Sequence, residues 1–178
     1  MKYTLTLFLL FFTNCVIAQN IKLNNAVIIA QFEKEEDRYA MQATISELFK
    51  MYRVKVLPVM NILKQGEDIQ HLLNDSIQAL IQQKGFNTYV VINVRGYDRK
   101  FKVSEDTQTL AEMLETTSIY HIYRDEATSV SFELSVYRDG KLIDRKVLRC
   151  GNVSDRDSVL KRLRKRLPKK ILSGWVAA

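Results

Sequence analysis

The chain has 178 residues, with 27 Lys plus Arg against 20 Asp plus Glu and a formal net charge of +7. That length suits one domain with a sizeable hydrophobic core and is short for two. Its two cysteines, Cys15 and Cys150, fall one in the leader and one in the body, which excludes a disulfide-stapled scaffold.

Lys2, the apolar run from Leu5 to Phe12, and the small residues Val16 and Ala18 ahead of Gln19 give the three zones of a secretory signal peptide in order. The run is too short to span a bilayer, which takes about 20 apolar residues. Residues 1–18 are therefore expected to be removed, leaving residues 19–178 as one exported domain without a transmembrane helix. An alternative keeps Cys15 as a lipidated cysteine. Asn14 directly before it departs from the small residue that lipoprotein processing prefers, so lipid anchoring at Cys15 ranks second.

Ala26 to Ala30 is a short apolar run, as in a strand covered on both faces. From about Glu36 to Tyr52, the residues Met41, Ile45, Leu48, Phe49 and Tyr52 recur at helical spacing. Val54 to Leu57 reads as a strand ended by Pro58. After Gly66, the stripe Ile69, Leu72, Leu73, Ile77, Leu80 and Ile81 predicts a second amphipathic helix, with Gly85 in place for its C-terminal cap. Thr88 to Val94 is a third strand. The order β-α-β-α-β implies a parallel sheet.

The segment 96–127 is polar and weakly patterned, with a short helix at Gln108 to Glu115, and is expected to be a long mobile loop. Val130, Phe132, Leu134 and Val136 then alternate with Ser129, Ser131, Glu133 and Ser135, which predicts a half-buried strand. Asp139-Gly140 turns it into a hairpin whose return strand, Leu142 to about Cys150, is expected to set Ile143 beside Val136 and Val147 beside Phe132. Ser154 and Asp157 suggest a capping box for a terminal helix with the stripe Leu160, Leu163, Leu167 and Ile171, interrupted at Pro168. The fold class is thus α/β: a single-domain mixed sheet with helices on both faces, β-α-β-α-β followed by an antiparallel hairpin and a C-terminal helix.

This order resembles a group of small bacterial envelope domains that includes the TolB amino-terminal domain, LpoB, CsgG and many lipoproteins of unknown function. Arg38-Tyr39-Ala40-Met41, Val54-Lys55-Val56-Leu57-Pro58, Gly85-Phe86-Asn87-Thr88-Tyr89-Val90-Val91 and Tyr137-Arg138-Asp139-Gly140-Lys141-Leu142 are similar to the last of these. The likeness covers about residues 25 to 172. It implies a non-enzymatic module of the cell envelope that acts through protein partners or assembly, with no catalytic residue to carry over.

Candidate chemistry is sparse. His71 and His121 stand in no metal spacing, and His71 lies off the apolar stripe of its helix. Cys150 beside Arg149 is the one thiol of the mature chain; paired with His121 it would make a thiol enzyme, while the simpler account is a buried structural cysteine. The acidic runs Glu33 to Asp37 and Ser104 to Asp106 lack the ligand pattern of a calcium loop, and the first suits a helix N-terminus. No glycine-rich phosphate loop or cofactor motif occurs. Asn74 and Asn152 head glycosylation sequons that matter only in a eukaryote.

The strongest functional signal is charge. Without Lys2, 26 basic residues face 20 acidic ones, a net of +6. The segment from Ser154 onward holds eight basic and two acidic residues, also a net of +6. Lys161, Arg162, Arg164, Lys165, Arg166, Lys169 and Lys170 on the terminal helix are the candidate partner-binding residues, suited to an envelope protein or an anionic membrane surface. Nucleic acid is excluded by export. The expectation is a non-enzymatic binding or assembly module, periplasmic or secreted, of a Gram-negative envelope.

Overall fold

A computed structural model of the protein describes residues 21–116 and 119–176. The signal segment, its cleavage point and Cys15 lie outside the described residues. One five-stranded sheet organises the rest, in the order β2-β1-β3-β4-β5. β1 (Asn25–Ala30) pairs in parallel with β2 (Lys55–Pro58) and with β3 (Thr88–Tyr97). β4 (Ser129–Arg138) and β5 (Lys141–Gly151) extend the sheet antiparallel to their neighbours.

Consecutive connections run in opposite directions across the sheet, so right-handed crossovers place them on opposite faces. On one face lies α1 (Glu35–Met51) beside α4 (Arg156–Leu167). Met41, Ile45 and Phe49 of α1 and Leu163 and Leu167 of α4 pack there against Ile28, Ile92, Phe132 and Leu134, all without solvent exposure. Leu72, just ahead of α2 (Asp75–Gln83), Ile81 of α2, and Leu110, Met113 and Leu114 of α3 (Leu110–Glu115) cover Val27, Ile29 and Val91 on the other. The α/β architecture with helices on both faces is as expected.

Several local expectations are corrected. Tyr52, placed on the α1 stripe by its spacing, lies beyond the helix and is exposed. The second helix is broken: a 3₁₀ turn over Ile69–Leu73 meets α2 at Asn74, whose extended backbone ends one and starts the other, and Leu80 faces solvent. Gly85, at φ +81°, does follow α2 in the left-handed conformation its role required. The N-cap of α4 is Asp155, not Ser154; its carboxylate accepts from Ser158 N at 2.6 Å, and the Ser158 hydroxyl closes the box. Pro168 ends the α-helical hydrogen bonding as expected. Because it lacks an N–H, the chain widens into a π-type turn over Pro168–Leu172 before a last turn at Ser173–Trp175.

The hairpin differs in register. Asp139 and Gly140 take the two positive φ values of the predicted tight turn, and Arg138 pairs with Lys141. A β-bulge at Ile143 then inserts one residue, so Val136 faces Asp144 and Phe132 faces Leu148; Val147 faces Glu133 instead. Nor is β4 half-buried, for both of its faces are covered. The polar face (Ser129, Ser131, Glu133, Ser135) lies beneath residues 98–109, which form a strap across the sheet.

That strap, expected to be mobile, is anchored along its length. Asp98 Oδ1 accepts from Thr128 N, Thr128 Oγ1 and Ser129 N, each at 2.9 Å. These bonds, the Thr128 hydroxyl first, hold the Asp98 carboxyl below the ordinary aspartate value. Phe101 lies so close over Gly96 that a Cβ there would meet its ring at 2.7 Å. Arg145 Nη1 donates to the carbonyls of Ser104 and Asp106 at 3.3 and 2.9 Å.

Candidate functional site

Helix α4 buries Val159, Leu160, Leu163 and Leu167, which leaves its charged residues to the opposite side. The seven predicted basic residues divide into three groups. Arg164 is engaged by α1, donating to Thr44 Oγ1 at 3.1 Å and lying 3.7 Å from Glu47. Arg166 Nη1 donates to Arg149 O at 2.6 Å, and Arg162 is half-buried, the two standing near the Cys150 thiol. Lys161, Lys165 and Lys169 follow one another at intervals of four, forming with Lys170 an exposed ridge that faces no carboxylate within ion-pair distance among the described residues.

The two outer helices run the same way. Arg156 at the start of α4 lies 3.3 Å from Glu36 at the start of α1, and Arg164 meets Thr44 and Glu47 further along both. Exposed pairs of this kind contribute about 0.2–1 kcal/mol each, enough to set register and little else. Both helices therefore end at the pole of the sheet where β1, β2 and β3 begin. The amino-terminal segment arrives at the same pole: Leu23 N donates to Trp175 O at 2.8 Å, Asn24 O accepts from Lys55 N at 3.0 Å, and Lys22 O accepts from Arg138 Nη2 at 3.4 Å.

This pole collects exposed Lys22, Lys50, Arg53, Lys84, Lys169 and Lys170. Of its carboxylates, Asp144 is already taken by Trp175 Nε1 at 2.6 Å and Lys146 at 3.3 Å, Asp139 sits at the hairpin tip, and Glu112, brought there by the Leu110 N bond to Gly140 O, accepts from Thr109 N at 2.7 Å. Met51, 76% exposed, and Tyr52 project between Lys50 and Arg53. Sequence reasoning found Lys169 and Lys170 but missed the other four, because they are scattered over the chain. The available signal was topological: in a β-α-β unit, helix ends and strand starts share one pole.

Cys150 and His121 are not brought together by any hydrogen bond among the described residues. Cys150 has no solvent exposure. Burial pushes its thiol up to about 11, against the opposing pull of Arg166 and Arg162. The charges of these two arginines, which would favour a thiolate, are outweighed by desolvation. At neutral pH the thiol is protonated, so Ellman's reagent should react with it only at the rate of unfolding; rapid stoichiometric labelling of folded protein would contradict this placement. His121 is half-buried, its carbonyl accepting from Tyr97 OH at 2.6 Å, and His71 is exposed with Glu67 at 4.0 Å. Among the described residues, no three His, Cys, Asp or Glu side chains converge as metal ligands. Glu35, Glu36 and Asp37 fill the first turn of α1, where negative charge favours the helix N-terminus.

At the opposite pole is a cleft of about 450 Å³ at the carboxyl ends of β1 and β2, lined among others by Gln31, Arg38, Tyr39, Gln42 and Lys64. The connections after these adjacent strands leave to opposite faces, which is the place where open α/β sheets form a crevice. Gln42 Oε1 accepts from Met60 N at 3.2 Å, and buried Gln31 donates to Met113 O at 2.9 Å. No sequence motif marks this cleft.

No family model and no curated protein matches the chain. Among solved structures it is similar to the lipoprotein GNA1162 from Neisseria meningitidis, at 12% identity over 83% of this chain and 99% of that one, with a TM-score of 0.45. It is also similar to PelC dodecamers from Paraburkholderia phytofirmans, at 10% identity over 88% of this chain and 88–90% of those, with TM-scores of 0.43 and 0.44. Function is accordingly read from this chain's own residues. No helix among the described residues is long and apolar enough to cross a membrane.

Proposed function

We propose that this protein is a non-enzymatic, exported envelope module that docks through its basic pole and the adjoining α4 lysine ridge on an anionic membrane surface. One observation carries the reading: the amino-terminal segment joins the domain at Leu23, at the same pole as the concentrated positive charge. Were Cys15 to carry a lipid, its tether would join the domain at this end and act with the charge on one surface; with cleavage before Gln19 the charge acts alone.

The mode of attachment follows from packing. The apolar stripe of α4 is buried on the sheet, so the helix has no face to insert into a bilayer as an interfacial helix does. Attraction then comes from the lysines and arginines, each worth about 1 kcal/mol near an anionic surface, with Met51 as a single apolar contact. Burial of Cys150, with no hydrogen bond to His121 among the described residues, supports a binding role over thiol chemistry.

The triple variant Lys165→Glu, Lys169→Glu and Lys170→Glu should lower affinity for phosphatidylglycerol-containing vesicles by at least about tenfold. Its unfolding midpoint should stay near that of the native protein, since the three side chains lie on the exposed side of the helix. Arg99→Glu with Lys100→Glu and Lys102→Glu, three exposed positions on the strap, serves as the charge-matched control and should bind more tightly than the triple variant. Failure of the native domain to bind these vesicles would overturn the reading and return the pole to an acidic protein partner.

A further inference from the structure

A second cleft, about 300 Å³, opens between the strap and the β3-β4-β5 face, lined among others by Asn93, Arg95, Glu133, Arg145, Gln108 and Met113. Two charged side chains form its floor, Glu133 at 5% and Arg145 at 3% side-chain exposure. Their charges are balanced but their hydrogen bonds are not complete. Glu133 stands 3.6 Å from Arg145 Nε and 3.7 Å from Arg95 Nε, beyond hydrogen-bond reach. Glu133 Oε2, Arg145 Nη2 and Asn93 Oδ1 are all buried without a hydrogen-bond partner among the described residues.

Unpaired buried polar atoms are rare enough that three converging on one cleft call for a physical reason. Arg145 is fixed in place: Nε donates to Ser135 Oγ at 3.1 Å and Nη1 to the Ser104 and Asp106 carbonyls, the buried Tyr137 hydroxyl lies beside the guanidinium, and Nη2 has no hydrogen-bond partner among the described residues. Two bulges build the arrangement. The one at Ile143 turns Arg145 to the strap face opposite Ser135, and the irregularity between Val94 and Gly96 places Arg95 beside Glu133. Asn93 and Glu133 are direct cross-strand partners, so their side chains are neighbours on the strap face. Asn93 Nδ2 is occupied by Met113 Sδ at 3.2 Å.

We infer that this cleft binds a small zwitterion of the α-amino acid type, its ammonium donating to Glu133 Oε2 and Asn93 Oδ1 and its carboxylate accepting from Arg145 Nη2 and Arg95. Adjacent free acceptors flanked by guanidinium groups match the separated charges of such a ligand. The volume lies at the lower limit of small-molecule pockets, about 300–1,000 Å³, which suits a single amino acid and excludes a long peptide. A pinned guanidinium also reduces the ordering cost of binding.

The test is a thermal-shift and calorimetric screen of the full-length mature protein with the proteinogenic α-amino acids, one at a time at millimolar concentration. At least one should raise the unfolding temperature, and its N-acetyl and carboxamide forms should each bind at least about tenfold more weakly, because each blocks one charge. Gln108→Trp, which fills the cleft from the half-exposed strap, should abolish the shift while the ligand-free protein remains folded. A screen in which no free amino acid stabilises the protein overturns the inference, as do equal effects of the blocked forms or undiminished binding by Gln108→Trp. Vesicle binding through the basic pole is independent of each of these results.

Discussion

Trp175→Ala is expected to destabilise the domain by about 3–5 kcal/mol, the range for removing a buried large aromatic side chain. The residue is 1% exposed and belongs to the core between the sheet and the two outer helices. Its indole Nε1 donates to Asp144 Oδ2 at 2.6 Å, and its carbonyl accepts from Leu23 N at 2.8 Å. One residue thus joins three elements, its indole tying the C-terminal turn to β5 and its backbone carbonyl holding the segment that leads into β1. Against a total stability of about 5–15 kcal/mol, that loss is large, and urea denaturation should show a lower midpoint with an unchanged slope. Trp175→Phe separates the contributions: it keeps most of the packing but loses a hydrogen bond to a charged acceptor, so about 1.5–3 kcal/mol is expected. A cost below about 1 kcal/mol for Trp175→Ala would mean that the terminal turn does not pack as described.

Arg145→Ala should be comparably severe, at about 3–5 kcal/mol, because removing one member of a buried pair strands the other. Glu133 would keep only Arg95, which is partly exposed and too distant for a hydrogen bond. The strap would also lose its bonds to the Ser104 and Asp106 carbonyls. Trypsin should therefore cut the variant at Lys100 or Lys102 faster than it cuts the native protein. Replacing both charges, Glu133→Met with Arg145→Met, should recover most of the lost stability, since a hydrophobic pair avoids the desolvation cost. If the double replacement were as unstable as Arg145→Ala, the loss would lie in strap anchoring and not in the stranded carboxylate.

Periodicity carried most of the fold. Met41, Ile45, Leu48 and Phe49 named the inner side of α1, and the β-branched run at Thr88 to Val94 named β3. Asp139-Gly140 placed the hairpin, because only certain residues tolerate two consecutive positive φ values. Alternation along Ser129 to Val136 showed which side chains share a face but not what covers each face. Burial of Ser131, Glu133 and Ser135 depends on a strap more than 20 residues away, at Asp98 to Thr109. The bulge at Ile143 escaped for a related reason: hairpin turns propose a register, and a single inserted residue leaves no mark in local hydrophobic spacing. Leu72 and Ile77 fit one helical stripe although Asn74 divides them into two elements.

The candidate site was legible in charge and not in arrangement. Seven basic residues of the terminal helix were apparent, but the sequence could not show that Arg164 is held by Thr44 and Glu47, or that Arg166 caps a β5 carbonyl. Nor could it add Lys22, Lys50, Arg53 and Lys84, which only the parallel crossovers bring to one pole. Cys150 is the buried structural thiol that the sequence favours over a reactive one, and burial, a tertiary property, outweighs the pull of Arg166 and Arg162 on it.

The most direct measurement is the affinity of the native domain for anionic and neutral phospholipid vesicles across a salt titration. The Debye length is about 30 Å at 0.01 M and about 8 Å at physiological ionic strength, so attraction through exposed lysines must weaken over that interval. Docking by the basic pole predicts binding to anionic vesicles that falls steeply with salt, and none to neutral vesicles at any ionic strength. Affinity that is independent of salt, or equal on neutral vesicles, would contradict it.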